Sequence, residues 1–137
     1  MPMTTDMTEM TRAMPKVIDA KTHAVLDYLT AGTFLAAGMA MRQRHPRAAG
    51  LAFANGMAVL RLSMLTDYPG GIWRTLSFRT HGTIDMLQAG MSAFGPMLLG
   101  FARDPEAQFF HGQAVVEAAV VSATDWNNTE ARAQLAA

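Results

Sequence analysis

His23 and Asp27 stand four residues apart, and so do His81 and Asp85. At that spacing the two side chains of each pair share one face of a helix. The pairs lie 58 residues apart in matching surroundings, with Thr22-His23 answering Thr80-His81, Ala31-Gly32 answering Ala89-Gly90, and Leu29 and Met39 answering Leu87 and Met97. At the same offset Thr66-Asp67-Tyr68 returns as Thr124-Asp125-Trp126, and Lys21 as the equally basic Arg79. A shared H-x-x-x-D alone is weak evidence, but the recurring T-D-aromatic triplet makes the chain an internal repeat. His23, Asp27, Asp67, His81, Asp85 and Asp125 then form a candidate polar cluster of two imidazoles and up to four carboxylates. Such a set could hold a hard divalent metal or relay protons. Alternatively, His23 and His81 could ligate a haem through two imidazoles. The plainer reading is that histidine and aspartate cap each helix and pair with Lys21 or Arg79, since a helix dipole favours aspartate in its first turn.

The elements that carry these residues are four apolar blocks, His23–Met41, Ala48–Thr66, His81–Phe101 and Ala107–Trp126, each 19 to 21 residues long. They are rich in Ala, Leu and Met and lack the period of two that marks strands, so all four read as helices. Asp67-Tyr68-Pro69-Gly70-Gly71 is a stop signal, Asp104-Pro105-Glu106 a start signal, and Pro96 interrupts the third block. A helix of this length spans about 30 Å, the thickness of the hydrocarbon core of a bilayer. Half the residues are apolar and only 16% are Asp, Glu, Lys or Arg, against about 25% in an ordinary soluble domain.

These features predict an all-α fold, a four-helix transmembrane bundle made of two parallel two-helix repeats, 21–68 and 79–126, within a membrane domain over 21–126. Residues 1–20 read as a flexible or interfacial arm without the apolar core of a signal peptide, and 127–137 as a C-terminal tail. Hairpin geometry brings the six cluster residues to one end of the bundle. Arg61 and Glu117 lie deeper and form a candidate buried ion pair, because lone charges at such depth are costly. His111 reads as interfacial, the twelve methionines as packing, and Tyr68, Trp73, Phe78 and Trp126 as an aromatic belt. Basic residues in the loops favour cytoplasmic termini.

Eleven basic and eleven acidic residues cancel, so no nucleic-acid partner is indicated. The absence of cysteine excludes disulfides, a thiolate nucleophile and Cys-ligated zinc or iron–sulfur centres. No nucleophile–base–acid arrangement, phosphate-binding glycine loop or H-E-x-x-H motif is present.

The openings Lys21-Thr22-His23-Ala24-Val25-Leu26-Asp27 and Arg79-Thr80-His81-Gly82-Thr83-Ile84-Asp85, the triplet Thr66-Asp67-Tyr68, and Gly95-Pro96-Met97-Leu98-Leu99-Gly100-Phe101 resemble the SPW-repeat group of small bacterial four-helix membrane proteins of uncharacterised function. The group's K/R-x-H-x-x-x-D and T-D-Y motifs are matched. Its S-P-W-x-x-G-F motif keeps Pro96, Gly100 and Phe101, with Gly95 and Met97 at the serine and tryptophan positions and Gly38 in place of the proline in the first repeat. The resemblance covers residues 21–126 and implies a four-span membrane protein, with no catalytic residue to carry over.

The expected function is therefore that of a multi-pass protein of the cell inner membrane, a small scaffold or accessory subunit without intrinsic catalysis and without a cofactor. Its partners are the lipid bilayer and another membrane protein or a second copy of itself. The alternative is a metal-, haem- or proton-handling membrane module built on the His/Asp cluster.

Overall fold

The computed structural model describes residues 15–127. Residues 1–14 of the expected arm and 128–137 of the expected tail lie outside the described residues. Among those described, the chain forms four α-helices: α1 Ala20–Met41, α2 Pro46–Leu65, α3 Phe78–Leu98 and α4 Ala107–Ala123. α1 packs along α2 and α3 along α4, and a narrower seam joins α2 to α3. The all-α four-helix bundle expected from the sequence is thus the observed architecture.

α1 and α3 begin three residues earlier than the apolar blocks suggest. The Asp19 carboxylate accepts the Thr22 N–H at 2.8 Å, and the Ser77 hydroxyl accepts the Thr80 N–H at 3.1 Å. These are N-caps, each satisfying one of the orphan donors of a first turn, and the bond from Thr22 holds the Asp19 carboxyl below its ordinary pKa. The caps sit four residues before the histidines, so His23, Asp27, His81 and Asp85 are not capping residues. Lys21 and Arg79 are exposed and pair with neither aspartate.

The far ends of α2 and α4 are also built alike. Thr66 and Thr124 are both extended C-caps, at ψ 140 and 133. Thr66 bridges to Leu76 and Thr124 to Ile18 in the same parallel sense. Asp67 N–H donates to the Leu76 carbonyl at 2.7 Å, and Asp125 N–H to the Ile18 carbonyl at 2.9 Å. Residues 18, 66 and 67 thus make the same bonds as residues 76, 124 and 125, which are their partners at the 58-residue offset. Each hairpin ends by stitching itself to the segment that leads into the other.

α3 stops at Leu98 although the apolar run continues to Phe101. Gly100 adopts φ +75, its N–H donates to the Met97 carbonyl at 3.2 Å, and Phe101 N–H donates to the Pro96 carbonyl at 2.8 Å. This is a Schellman cap, in which a left-handed glycine lets the chain turn back on the last carbonyls. It drops Phe101 into the core with Phe34, Met41, Leu51 and Phe110. Pro96 falls in the last turn of α3, where its missing N–H removes a single helical bond. At this end His45 accepts the Ala48 N–H through Nδ1 at 3.1 Å, which leaves its Nε2–H to donate to Asp104 at 2.9 Å.

The outside of the bundle is apolar over much of its length, with Val25, Leu29, Leu87, Phe94 and Val115 more than half exposed. α1 and α2 are long and apolar enough to cross a membrane.

Two glycines should respond in opposite directions to the same substitution. Gly100→Ala forces a Cβ into the left-handed region and should destabilise the fold by about 1–2 kcal/mol. Gly112→Ala, in α4 with open space where the Cβ would stand, should stabilise it by up to about 1 kcal/mol. Thermal unfolding followed by circular dichroism distinguishes the two.

Candidate metal centre

α1 presents His23 and Asp27, and α3 presents His81 and Asp85, on faces that meet at the capped end of the bundle. Both imidazoles are fully buried, and the two carboxylates are 9% and 13% exposed. His23 Nε2 lies 3.3 Å from Asp27 Oδ1 and 3.1 Å from Asp85 Oδ2. His81 Nε2 lies 3.2 Å from Asp27 Oδ2 and 3.1 Å from Asp85 Oδ2. One ligand atom from each of the four residues falls within 4.8 Å of the other three.

The tautomers follow from two threonines. Thr66 Oγ1 lies 2.6 Å from the Leu62 carbonyl and 2.7 Å from His81 Nδ1. A hydroxyl has one proton, and a carbonyl can only accept, so Thr66 donates to Leu62 and accepts from His81 Nδ1–H. Thr124 Oγ1 does the same, at 2.6 Å from the Val120 carbonyl and 2.8 Å from His23 Nδ1. Each threonine therefore fixes the histidine of the other hairpin. With Nδ1 protonated, a neutral imidazole turns a bare lone pair at Nε2 towards the carboxylates. Lone pairs facing carboxylate oxygens at 3.1–3.3 Å repel unless a cation or a second proton stands between them. His81 Nε2 is a buried atom without a hydrogen-bond partner among the described residues.

Aromatic rings close the site. Tyr68 donates its hydroxyl to Asp27 Oδ2 at 2.8 Å, and burial raises the phenol pKa, so the donor stays protonated. The Trp126 ring lies 4.9 Å from that of His23 and 4.7 Å from that of Phe78. The larger ring is matched by a smaller neighbour: a Cβ at Gly82 would meet the Trp126 ring at 3.0 Å. At the equivalent place in the first hairpin, Ala24 clusters with Tyr68.

The structure brings together four of the six residues of the candidate cluster. Asp67 is exposed, and Asp125 turns its carboxylate to the Asn127 N–H. The chemistry of the triplet resides in its flanking members, Thr66, Tyr68, Thr124 and Trp126. Their recurrence at the 58-residue offset is the signal in the sequence, where the pattern by itself points to the aspartates between them. Arg61 is exposed and, among the described residues, forms no ion pair with Glu117, which accepts from Ser92 Oγ at 3.1 Å instead. His111 is exposed. The His23 and His81 rings stand edge to face with centroids 5.3 Å apart.

A buried set of two imidazoles and two carboxylates able to hold a cation overturns the expectation of a scaffold with no intrinsic chemistry and of a chain that is flatly no enzyme. Compared with known proteins, the chain matches no family model, no curated protein and no solved structure.

The threonine assignment has a direct check. In nitrogen-15 histidine spectra at alkaline pH, His23 and His81 should both show the Nδ1–H tautomer. Thr124→Val should disturb His23 alone, and Thr66→Val His81 alone. Disturbance of the histidine in the same hairpin as the substituted threonine would contradict the cross-hairpin pairing.

Proposed function

We propose that this protein is a membrane-embedded module that binds a divalent transition metal of the zinc type through His23, Asp27, His81 and Asp85. The observation that carries the reading is the convergence of two Nδ1-protonated imidazoles and two carboxylates on one buried point. Ligands about 2.0–2.1 Å from a tetrahedral zinc stand about 3.3 Å from one another; the nitrogen–oxygen separations are 3.1–3.3 Å, with Asp27 facing His23 through Oδ1 and His81 through Oδ2, and one donor atom from each residue lies within 4.8 Å of the rest. Two carboxylates neutralise the charge of the ion. Thr66 and Thr124 supply the outer hydrogen bond that metal-bound histidines almost always make. Mixed nitrogen and oxygen donors suit zinc, cobalt or iron better than magnesium or calcium, which take oxygen alone.

The bilayer setting is supported by the apolar surface and by the two helices, α1 and α2, with the length and hydropathy of membrane spans. A four-span arrangement in the inner membrane places α3 and α4 beside them. Kinship with the SPW-repeat group rests on the H-x-x-x-D and T-D-aromatic motifs, which supply the residues of this centre. Retention of the protein in membranes washed with alkaline carbonate, with release by mild detergent, is expected; recovery in the soluble fraction would remove the bilayer from the proposal.

Metal content of the detergent-purified protein, measured by inductively coupled plasma mass spectrometry after dialysis against zinc or cobalt, should reach one ion per chain. Cobalt should give the intense visible bands of a tetrahedral site. His81→Ala and Asp85→Ala should abolish both, whereas Asp67→Ala and Asp125→Ala should change neither. Thr66→Val should weaken binding about 10–100-fold. The ion displaces protons from the imidazoles, so affinity should fall as the pH is lowered. Equal metal content in the wild type and His81→Ala would overturn the assignment.

A further inference from the structure

The centre has one side that its own ligands do not seal. Beside it lies a cavity of about 30 Å³, bounded by α1 and α4 and floored by Val59 of α2 and by Asp85 and Gln88 of α3. α1 and α4 pack less closely than the α1–α2, α3–α4 and α2–α3 pairs. Asp27 and Asp85 line the cavity on the side of the centre, and Glu117 lines it from α4. Neither histidine reaches it. The volume accommodates a water molecule or a largely dehydrated cation, and three carboxylates on its wall favour a cation over any anion.

Glu117 stands out against the internal repeat. Its counterpart 58 residues earlier is Val59, and the counterpart of its partner Ser92 is Phe34. One hairpin thus carries two apolar residues where the other carries a hydrogen-bonded carboxylate and hydroxyl. The two seams that the repeat would make alike differ as well. Across α2–α3 the Gln88 amide donates to Asn55 Oδ1 at 3.0 Å. At the α1–α4 position the equivalents are Thr30 and Gln113, and Thr30 lines the cavity instead. A half-buried carboxylate costs free energy that valine does not, and here it sits on the open side of the centre.

We propose that the α1–α4 cleft is the route by which a divalent cation reaches and leaves the centre, with Glu117 as a transient ligand that passes the ion to Asp27 and Asp85. This rests on the metal reading above. The ion meets oxygen donors first and shedding of its water is compensated stepwise by Glu117, then by the two aspartates, before the imidazoles close around it. Glu117 acts on the rate of exchange, since it is not among the four final ligands.

Stopped-flow mixing of the detergent-purified full chain with cobalt, followed at the visible bands, tests this. Displacement by a chelator gives the off-rate. Glu117→Gln should lower the on-rate about tenfold, the low end of what charged clefts contribute to association, and lower the off-rate with it, so that Kd moves less than either rate. Val116→Phe, at the exposed rim of the same cavity, should slow both rates without altering any carboxylate, and serves if the Glu117 variant fails to fold. Wild-type rates in Val116→Phe and in a folded Glu117→Gln would overturn the route while leaving the centre intact. A loss of affinity in Glu117→Gln with an unchanged on-rate would also overturn it, by making Glu117 a resident ligand. Absence of cobalt binding by the wild type would remove the centre itself and the route with it.

Discussion

Thr66 and Thr124 each own a single hydroxyl proton, and both spend it on a carbonyl one turn back in their own helix. What remains is an acceptor, and each accepts Nδ1–H from a histidine of the opposite hairpin. The rest of the site follows from that constraint. Both threonines stand where α2 and α4 end, as their extended C-caps. The extended backbone after each threonine then pairs with Leu76 or Ile18, which sets the height at which α3 and α1 begin. Asp19 and Ser77 cap them one residue further on. Placed by these bonds, His23 and His81 cannot avoid turning Nε2 inwards.

The same chemistry is arranged the other way at the far end of the bundle. His45 uses Nδ1 as the acceptor of a backbone N–H and gives its Nε2 proton to Asp104. Both nitrogens are satisfied, and the imidazole is a cap and a tie between loops. The contrast separates a histidine that holds structure together from a pair whose inner nitrogens face carboxylates. Burying two imidazoles and two carboxylates is costly unless every lone pair and proton is matched. Outside the cluster the network is fully matched, by the threonines and by Tyr68. Inside it, the contacts between Nε2 and the carboxylates call for a positive charge, supplied by a second imidazole proton or by a bound cation.

The helices were legible in the sequence because apolar blocks bounded by Pro, Gly and charged turns leave few alternatives. Their ends were less so: the caps at Asp19 and Ser77 lie outside the apolar runs, and Gly100 stops α3 inside one. The H-x-x-x-D pairs were legible as a site because four residues make one helical turn and the 58-residue repeat brings two such turns together. The role of Thr66 and Thr124 was hidden, since a threonine reads as a β-former or a cap until its partner across the bundle is known. The pairing of Arg61 with Glu117 failed for a related reason. Residue spacing gives depth along a helix but not the facing side, and Arg61 looks outwards while Glu117 looks towards Ser92.

Ligands drawn from α1 and α3, with second bonds from α4 and α2, make the centre a property of the whole bundle and of neither hairpin alone. Within each hairpin the helices pack along their length, whereas between hairpins the α2–α3 seam is thin and the α1–α4 side opens into a cavity. A cation at the meeting point would add to the side-chain bonds between the hairpins, so binding and docking would be linked. Matching residues from the two hairpins would hold an ion in a nearly symmetric cage, and a symmetric cage of buried ligands has no preferred way out. The exchange of Val59 and Phe34 for Glu117 and Ser92 breaks that symmetry on one side only. On the proposed reading, the repeat accounts for how an ion would be held, and the departure from the repeat for how it would come and go.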